Sequence, residues 1–243
     1  MLFLYNELLW RPLFNGLIFF YNTFPGQDFG LAIIALTIII RLLLTPIFIK
    51  AQHAQKKLGL LQPEIKKVQE QHKNNKEAQG KAMMELYAAH QVNPFSGCLM
   101  MLLQLPILIA LFGVFQGVFK PENLSYLYSF IQNPGVLNPL SFGILDLSRG
   151  NIYLGALAAL TQYVQSKLTL IATSPSAEKG EFTKILQWQT LYFLPVLVLF
   201  WSYSLPSALT LYWTVLNFLG ILQEIILHKG LGLNFRVLGA KKV

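Results

Sequence analysis

Long apolar stretches alternate with shorter polar segments along the chain. An α-helix rises about 1.5 Å per residue, so about 20 apolar residues cross the roughly 30 Å hydrocarbon core of a bilayer. Five stretches reach or approach that length. They predict an all-α polytopic membrane protein with five transmembrane helices, at residues 27–50, 94–119, 151–172, 187–203 and 207–228.

The segments between these stretches are predicted from their polar and helix-breaking residues. Residues 51–93 are lysine-rich and show helical patterns on either side of residues 73–76, which predicts a helical hairpin outside the membrane. Residues 1–26 mix aromatic, apolar and polar residues before a Pro-Gly pair, which predicts an amphipathic helix in the membrane interface. A short additional span is the alternative for this segment. Two connecting loops and a basic tail complete the chain, at residues 120–150, 173–186 and 229–243.

One arginine, Arg41, stands in the middle of the first apolar stretch. An arginine at that depth costs between about 3 and more than 10 kcal/mol, and it cannot lose its proton to avoid this cost. No acidic residue lies in the middle of a predicted span, and only Glu224 stands near the end of one. Thr37 and Thr45 lie one turn before and after Arg41 on the same helical face. This polar stripe predicts a solvated functional site; a structural arginine whose side chain reaches the interface is the alternative.

Polar residues recur at helical spacing in other predicted spans as well. The third and fifth spans each carry a polar face, and the second carries one glutamine. Together with the stripe around Arg41, these residues are predicted to line one shared polar cavity. The alternative is that they form hydrogen bonds between helices, as polar residues in spans often do. The residues concerned are Gln104, Gln162, Gln165, Thr169, Ser207, Thr210, Thr214 and Asn217.

Basic residues are distributed unevenly between the two sides of the predicted membrane. The net charge is +8, and fifteen of the 19 Lys and Arg residues fall in or beside the hairpin, the 173–186 loop and the tail. Loops rich in Lys and Arg stay in the cytoplasm, so the hairpin and the C-terminus are predicted there and the N-terminus outside. Glutamates are interspersed among the hairpin lysines, which is typical of a solvated surface, so direct sequence-specific nucleic-acid binding is not expected.

Motifs for covalent chemistry do not occur in the sequence. There is no Gly-x-Ser-x-Gly, no His-Glu-x-x-His and no phosphate-binding glycine loop. The four histidines lie outside the predicted spans, and the single cysteine, Cys98, excludes an internal disulfide or a cysteine metal cluster. With 54% hydrophobic and 12% charged residues, the chain is predicted to be a membrane protein without enzyme activity, cofactor or metal site.

Several motifs resemble the YidC/Oxa/Alb insertase family, and they occur in the family's order and spacing. The similarity covers residues 8–230. The matching segments are Arg41 with Thr45-Pro46, residues 61–65 (LQPEI), 93–98 (NPFSGC), 103–107 (LQLPI), and 211–213 (LYW) with Asn217.

This resemblance implies a five-helix core enclosing a hydrophilic groove that is closed to the outside but open to the cytoplasm and to lipid. In that family the arginine matching Arg41 is proposed to attract acidic residues in the translocated tail of a substrate. The implied partners are nascent membrane proteins, the lipid bilayer, the Sec translocon and the ribosome, and the implied location is the bacterial plasma membrane. Because the chain starts almost at the core, a short form without the large periplasmic domain is expected. The implied groove residues are Arg41, Thr37, Thr45, Gln104, Gln162, Gln165, Trp213, Thr214 and Asn217.

Two other functions stay open at the level of sequence. A small-anion transporter or channel would use Arg41 as its binding site, although the inverted repeats typical of transporters are not apparent. A structural assembly chaperone for membrane complexes would bind its partners without needing Arg41.

Overall fold

The computed structural model describes residues 2–93, 96–173, 185 and 187–230. Most of the predicted 173–186 loop and of the 229–243 tail therefore lies outside the described residues, as do Pro94 and Phe95. The α-helices of the described part are α1 (Leu2–Tyr5), α2 (Arg11–Thr23), α3 (Phe29–Leu60), α4 (Gln62–Gln71), α5 (Lys76–Ala89), α6 (Ser96–Gly117), α7 (Ile152–Thr173), α8 (Leu194–Ser204) and α9 (Ser207–Gly230).

Short elements connect these helices. Each of α2 and α8 continues from a π-helical turn, and two 3₁₀ turns and one antiparallel strand pair lie in the connections. Within the described residues that strand pair is the only regular secondary structure besides helices, which confirms the predicted all-α class. The π-helical turns are Asn6–Trp10 and Gln189–Phe193, the 3₁₀ turns are Pro25–Gln27 and Pro121–Tyr126, and the strands are β1 (Leu140–Ser141) and β2 (Leu145–Asp146).

Helix α3 is the longest element, with 32 residues and a length of about 48 Å. It begins where the carboxylate of Asp28 caps it by accepting a hydrogen bond from the backbone N–H of Leu31 at 2.9 Å. By length and composition, α3 and residues Ser207–Ile226 of α9 are able to cross a membrane, and Leu102–Gly117 in α6 forms a shorter apolar helix. Helix α3 continues to Leu60, past residue 50, where the first span is predicted to end. The first part of the predicted hairpin segment therefore belongs to the last turns of α3.

The main apolar core lies between α2, the first half of α3, α6 and the first turns of α9. Phe14 and Leu17 of α2 are fully buried in it, as are Phe29 and Ala32 of α3. Helix α2 thus packs with one face against the bundle, and its placement at the membrane interface stays a prediction. Many apolar side chains on the outer surface are exposed, as lipid contact would require, among them Leu42, Leu43, Val196, Phe200 and Phe218.

The predicted 120–150 loop is tied to the helices by polar side chains. Asn15 of α2 donates to the backbone oxygen of Tyr126 at 3.1 Å and accepts from the backbone N–H of Tyr128 at 2.7 Å. The carboxylate of Asp28 accepts a hydrogen bond from the hydroxyl of Ser141 at 3.0 Å. These bonds hold the loop against the starts of α2 and α3.

The hairpin formed by α4 and α5 has a small core of its own around Leu61, Ile65 and Val92. The predicted break between its helices is present, because Asn75 caps α5 by accepting hydrogen bonds from the backbone N–H groups of Glu77 and Ala78. In the described residues the hairpin packs mainly within itself and on the end of α3.

We expect Gly30→Ala to destabilise the protein, because a Cβ at residue 30 would lie 1.9 Å from the hydroxyl oxygen and 2.7 Å from the Cβ of Ser141. Overpacking of this kind costs about 1–3 kcal/mol, which will show as a lower melting temperature of the detergent-purified protein. Gly80→Ala is the matched control: nothing lies within 4 Å of a Cβ there, so helix propensity should leave stability equal or higher. Equal melting temperatures for wild type and Gly30→Ala would contradict the prediction.

Candidate functional site

The guanidinium of Arg41 is buried between α3 and α9, with 8% of the residue exposed. Its Nη2 donates a hydrogen bond to Oε1 of Gln223 on α9 at 2.9 Å. Its central carbon lies 4.2 Å from the ring centroid of Phe48, two helical turns further along α3, which is a cation–π distance. Its Nε is buried and donates to none of the described residues. The site therefore holds a permanent cation with one unsatisfied donor.

A cavity of about 240 Å³ adjoins this cation, between α3 and α9. Arg41, Thr45 and Gln223 supply its polar lining, and the remaining lining residues are apolar. Two of these, Leu42 and Ile226, are more than half exposed, so the cavity borders the outer surface of the helices. In a bilayer this arrangement would place a buried positive charge beside a lipid-facing opening.

A chain of hydrogen bonds leads from Arg41 to a buried carboxylate. Nε2 of Gln223 donates to Oε1 of Gln52 on α3 at 3.3 Å, and Nε2 of Gln52 donates to Oε1 of Glu224 on α9. The hydroxyl of Thr169 on α7 donates to the same carboxylate oxygen at 3.2 Å. Glu224 is only 2% exposed and interacts electrostatically with Arg41.

This arrangement corrects the expectation that Arg41 has no carboxylate near it. Glu224, which stands at the end of its predicted span, is buried by the fold in the same polar network as Arg41. The polar face of α9 is the sequence signal that indicates where Glu224 points. Glu224 follows Asn217 by seven residues, so it lies on the same helical face as Thr210, Thr214 and Asn217. Gln52 likewise continues the face that carries Arg41.

The two threonines beside Arg41 bond to their own helix. The hydroxyl of Thr37 donates to the backbone oxygen of Ile33 at 2.6 Å, and that of Thr45 donates to the backbone oxygen of Arg41 at 2.7 Å. Thr37 is almost completely buried one turn before Arg41, and Thr45 lines the cavity. Of the predicted residues, Arg41 and Thr45 are thus brought to one cavity.

The predicted glutamines form contacts between helices. Nε2 of Gln104 on α6 donates to the hydroxyl of Tyr212 on α9 at 2.7 Å. Oε1 of Gln162 on α7 accepts from the indole of Trp213 at 2.9 Å. Gln165 packs on α9 so closely that a Cβ at residue 220 would lie 2.3 Å from its Nε2. These pairings match the alternative in which polar residues join helices.

The predicted residues of α9 are divided between two environments. Asn217 is buried and donates to the backbone oxygen of Ala158 and the hydroxyl of Thr161 on α7, each at 3.3 Å. Thr214 is also buried and donates to the backbone oxygen of Thr210. Trp213 lines a separate apolar cavity of about 310 Å³. The other residues lining that cavity are Leu108, Ile109, Phe112, Trp201, Leu205 and Leu209.

No group of three or more His, Cys, Asp or Glu side chains lies close enough to hold a metal ion in the part of the chain that the structure describes. Among the described residues, the ionic groups of the site are Arg41 and Glu224. What this arrangement offers chemically is a fixed positive charge, hydrogen-bond donors and an apolar border, which together suit the binding of an anion beside a membrane.

The comparisons with known proteins agree on one family. A family profile described as 60Kd inner membrane protein matches residues 19–233. A membrane protein insertase YidC from Fusobacterium nucleatum subsp. nucleatum is 32% identical over 202 residues, which are 83% of this chain and 87% of that protein. A membrane protein insertase YidC from Francisella tularensis subsp. novicida is 37% identical over 204 residues, which are 83% of this chain but only 33% of that protein.

We expect Gln52→Leu to destabilise the bundle, because it removes one donor to the buried carboxylate of Glu224 and the acceptor for the partly buried amide of Gln223. Each buried polar group left without its partner costs about 1–3 kcal/mol, so the melting temperature in detergent should fall. Gln69→Leu, on the exposed surface of α4, makes the same substitution outside the network and should change stability little. Similar melting temperatures for the two variants would contradict a structural role of the network.

Proposed function

The chain belongs to the 60Kd inner membrane protein family, whose relatives include the YidC insertases, and on this premise we propose that it is a membrane protein insertase and chaperone. It would insert integral membrane proteins and help them to fold and assemble. The observation that carries this proposal concerns Arg41, a permanent cation that is buried beside a surface cavity. Its Nε donates a hydrogen bond to none of the described residues.

The proposed architecture is five transmembrane helices enclosing a hydrophilic groove, with the N-terminus outside and the hairpin and C-terminus in the cytoplasm. The two long apolar helices, α3 and α9, correspond to the first and fifth spans and support this part of the arrangement. The excess of basic residues in the hairpin and the C-terminal segments supports its orientation. The proposed location is the bacterial plasma membrane.

The proposed mechanism uses charge attraction to lower the cost of moving a polar tail into the membrane. A carboxylate in the tail of a substrate would be drawn from the cytoplasm toward Arg41, where the low dielectric constant strengthens the attraction. Arg41, Thr45 and Gln223, which line the cavity, would receive the polar tail. Gln104 and Gln162 would hold the neighbouring helices in place through their bonds to α9. The apolar span of the substrate would then leave through the lipid-facing opening, where its burial in lipid provides the driving force.

This process makes and breaks no covalent bond, so the proposed activity is not enzymatic and needs no cofactor. The proposed partners are nascent membrane proteins and the lipid bilayer, with the Sec translocon and the ribosome as the machines that deliver substrates. The hairpin of α4 and α5 supports a receiving role, because within the described residues it packs mainly on itself and on the end of α3, which would let it adapt to a substrate.

We expect Arg41→Ala to reduce insertion of a single-span substrate with an acidic translocated tail about tenfold, since a hydrogen bond to a charged group contributes about 1.5–3 kcal/mol. Arg41→Lys should retain part of the activity, because it keeps the charge but loses the fork of donors. The measurement is protease protection of the substrate after incubation with purified protein in liposomes.

Arg149→Ala is the matched control, because that arginine is exposed and lies away from the cavity. A substrate with a neutral tail tests whether the variants are folded and active. Equal insertion of the acidic substrate by wild type and Arg41→Ala would contradict the electrostatic mechanism. Saturable uptake of a small anion without any protein insertion would favour a transporter instead.

A further inference from the structure

The hydrogen bonds between Arg41 and Glu224 all run in one direction. Arg41 donates to Gln223, Gln223 donates to Gln52, and Gln52 donates to Glu224. Each glutamine therefore turns its oxygen toward the cation and its amino group toward the carboxylate. A guanidinium has only donors and a carboxylate has only acceptors, so the two charged ends together determine the orientation of both amides.

Two neutral amides thus stand where a direct ion pair would otherwise form. A carboxylate bonded directly to Arg41 would satisfy the guanidinium but would also cancel most of its charge locally. The amide of Gln223 satisfies one guanidinium nitrogen without bringing a negative charge to it. The counter-charge on Glu224 is held further away, behind Gln52, where it still stabilises the buried cation through electrostatic interaction.

The cavity beside Arg41 is where a second anion would approach the guanidinium. Nε of Arg41 is buried and has no partner among the described residues, and Arg41 and Gln223 both line the cavity of about 240 Å³. The ring of Phe48 supports the guanidinium at 4.2 Å. The side chain is therefore held in place while one of its donors stays unused.

We propose that Gln223 and Gln52 are a spacer that positions Arg41 while keeping its counter-charge two amides away, and that Glu224 sets how strongly the site prefers acidic substrate tails. This inference rests on the proposed insertase function and names the residues that tune it. Gln52, Gln223 and Glu224 act on the substrate through Arg41, so they are positioning residues.

Two substitutions of nearly unchanged shape change the charge at this site in opposite directions. Gln223→Glu places a carboxylate directly on Arg41, so the preference for acidic tails should fall to near that of Arg41→Ala while the bundle stays folded. Glu224→Gln removes the distant counter-charge but keeps an oxygen to accept from Gln52, so the preference for acidic tails should rise on the order of fivefold. Loss of structure alone would move both variants in the same direction.

The experiment measures insertion of two single-span substrates that differ only in a tail carrying either two aspartates or two serines. Purified wild type, Arg41→Ala, Gln223→Glu and Glu224→Gln are compared in liposomes of one composition, and the readout is the ratio of protected acidic substrate to protected neutral substrate. Gln69→Glu and Glu64→Gln make the same two changes on the exposed surface of the hairpin and serve as matched charge controls. Melting temperatures confirm that each variant is folded.

Opposite shifts of the ratio in Gln223→Glu and Glu224→Gln, with wild-type ratios in both hairpin controls, would support the spacer. If wild type inserts both substrates and Arg41→Ala loses the acidic preference, but the two site variants keep the wild-type ratio, the spacer is overturned and the insertase function stands. If the hairpin controls shift the ratio as much as the site variants, overall protein charge replaces the spacer as the cause. If wild type inserts neither substrate above protein-free liposomes, the proposed function itself is overturned, and this inference with it.

Discussion

The burial of one permanent positive charge is the constraint on which the arrangement of α3 and α9 depends. Arg41 cannot lose its proton, so its surroundings must supply an acceptor and a counter-charge. Gln223 supplies the acceptor, and Glu224 supplies the counter-charge through Gln52. Because these residues alternate between the two helices, satisfying the guanidinium fixes α3 against α9 along this face. The polar residues that stabilise the buried charge therefore also hold α3 and α9 together.

Helix α3 passes through two different environments on either side of this charge. In its first turns Phe29, Ala32 and Ile33 are buried in the apolar core with α2, α6 and α9. Just beyond Arg41, Leu42 and Leu43 are exposed and a cavity opens beside the helix. A bundle that is closed at one end and open beside its buried cation is the asymmetry that insertion from one side of a membrane needs. This asymmetry supports the proposed groove without requiring a moving part.

Polar side chains in this bundle have two uses that sequence patterns do not separate. Gln104, Gln162 and Asn217 bond to neighbouring helices, and such bonds hold helices together where the hydrophobic effect contributes little in lipid. Arg41 and Thr45 instead line a cavity. The first group joins α6 and α7 to α9, and the second group lines the cavity at which we propose that a substrate tail binds.

The helical class, the break in the hairpin, the position of the buried charge and the family can all be read from the chain, because each follows from apolar length, helix signals or local motifs. What Arg41 contacts cannot be read in this way. Spacing along one helix shows which residues share a face, and extending the polar face of α9 would have reached Glu224. Which residues of α3 and α9 meet depends on how the two helices are rotated and offset, and this is set by the packing of all the helices together. It is therefore the packing of the helices that makes an amide, rather than a carboxylate, bond directly to the arginine.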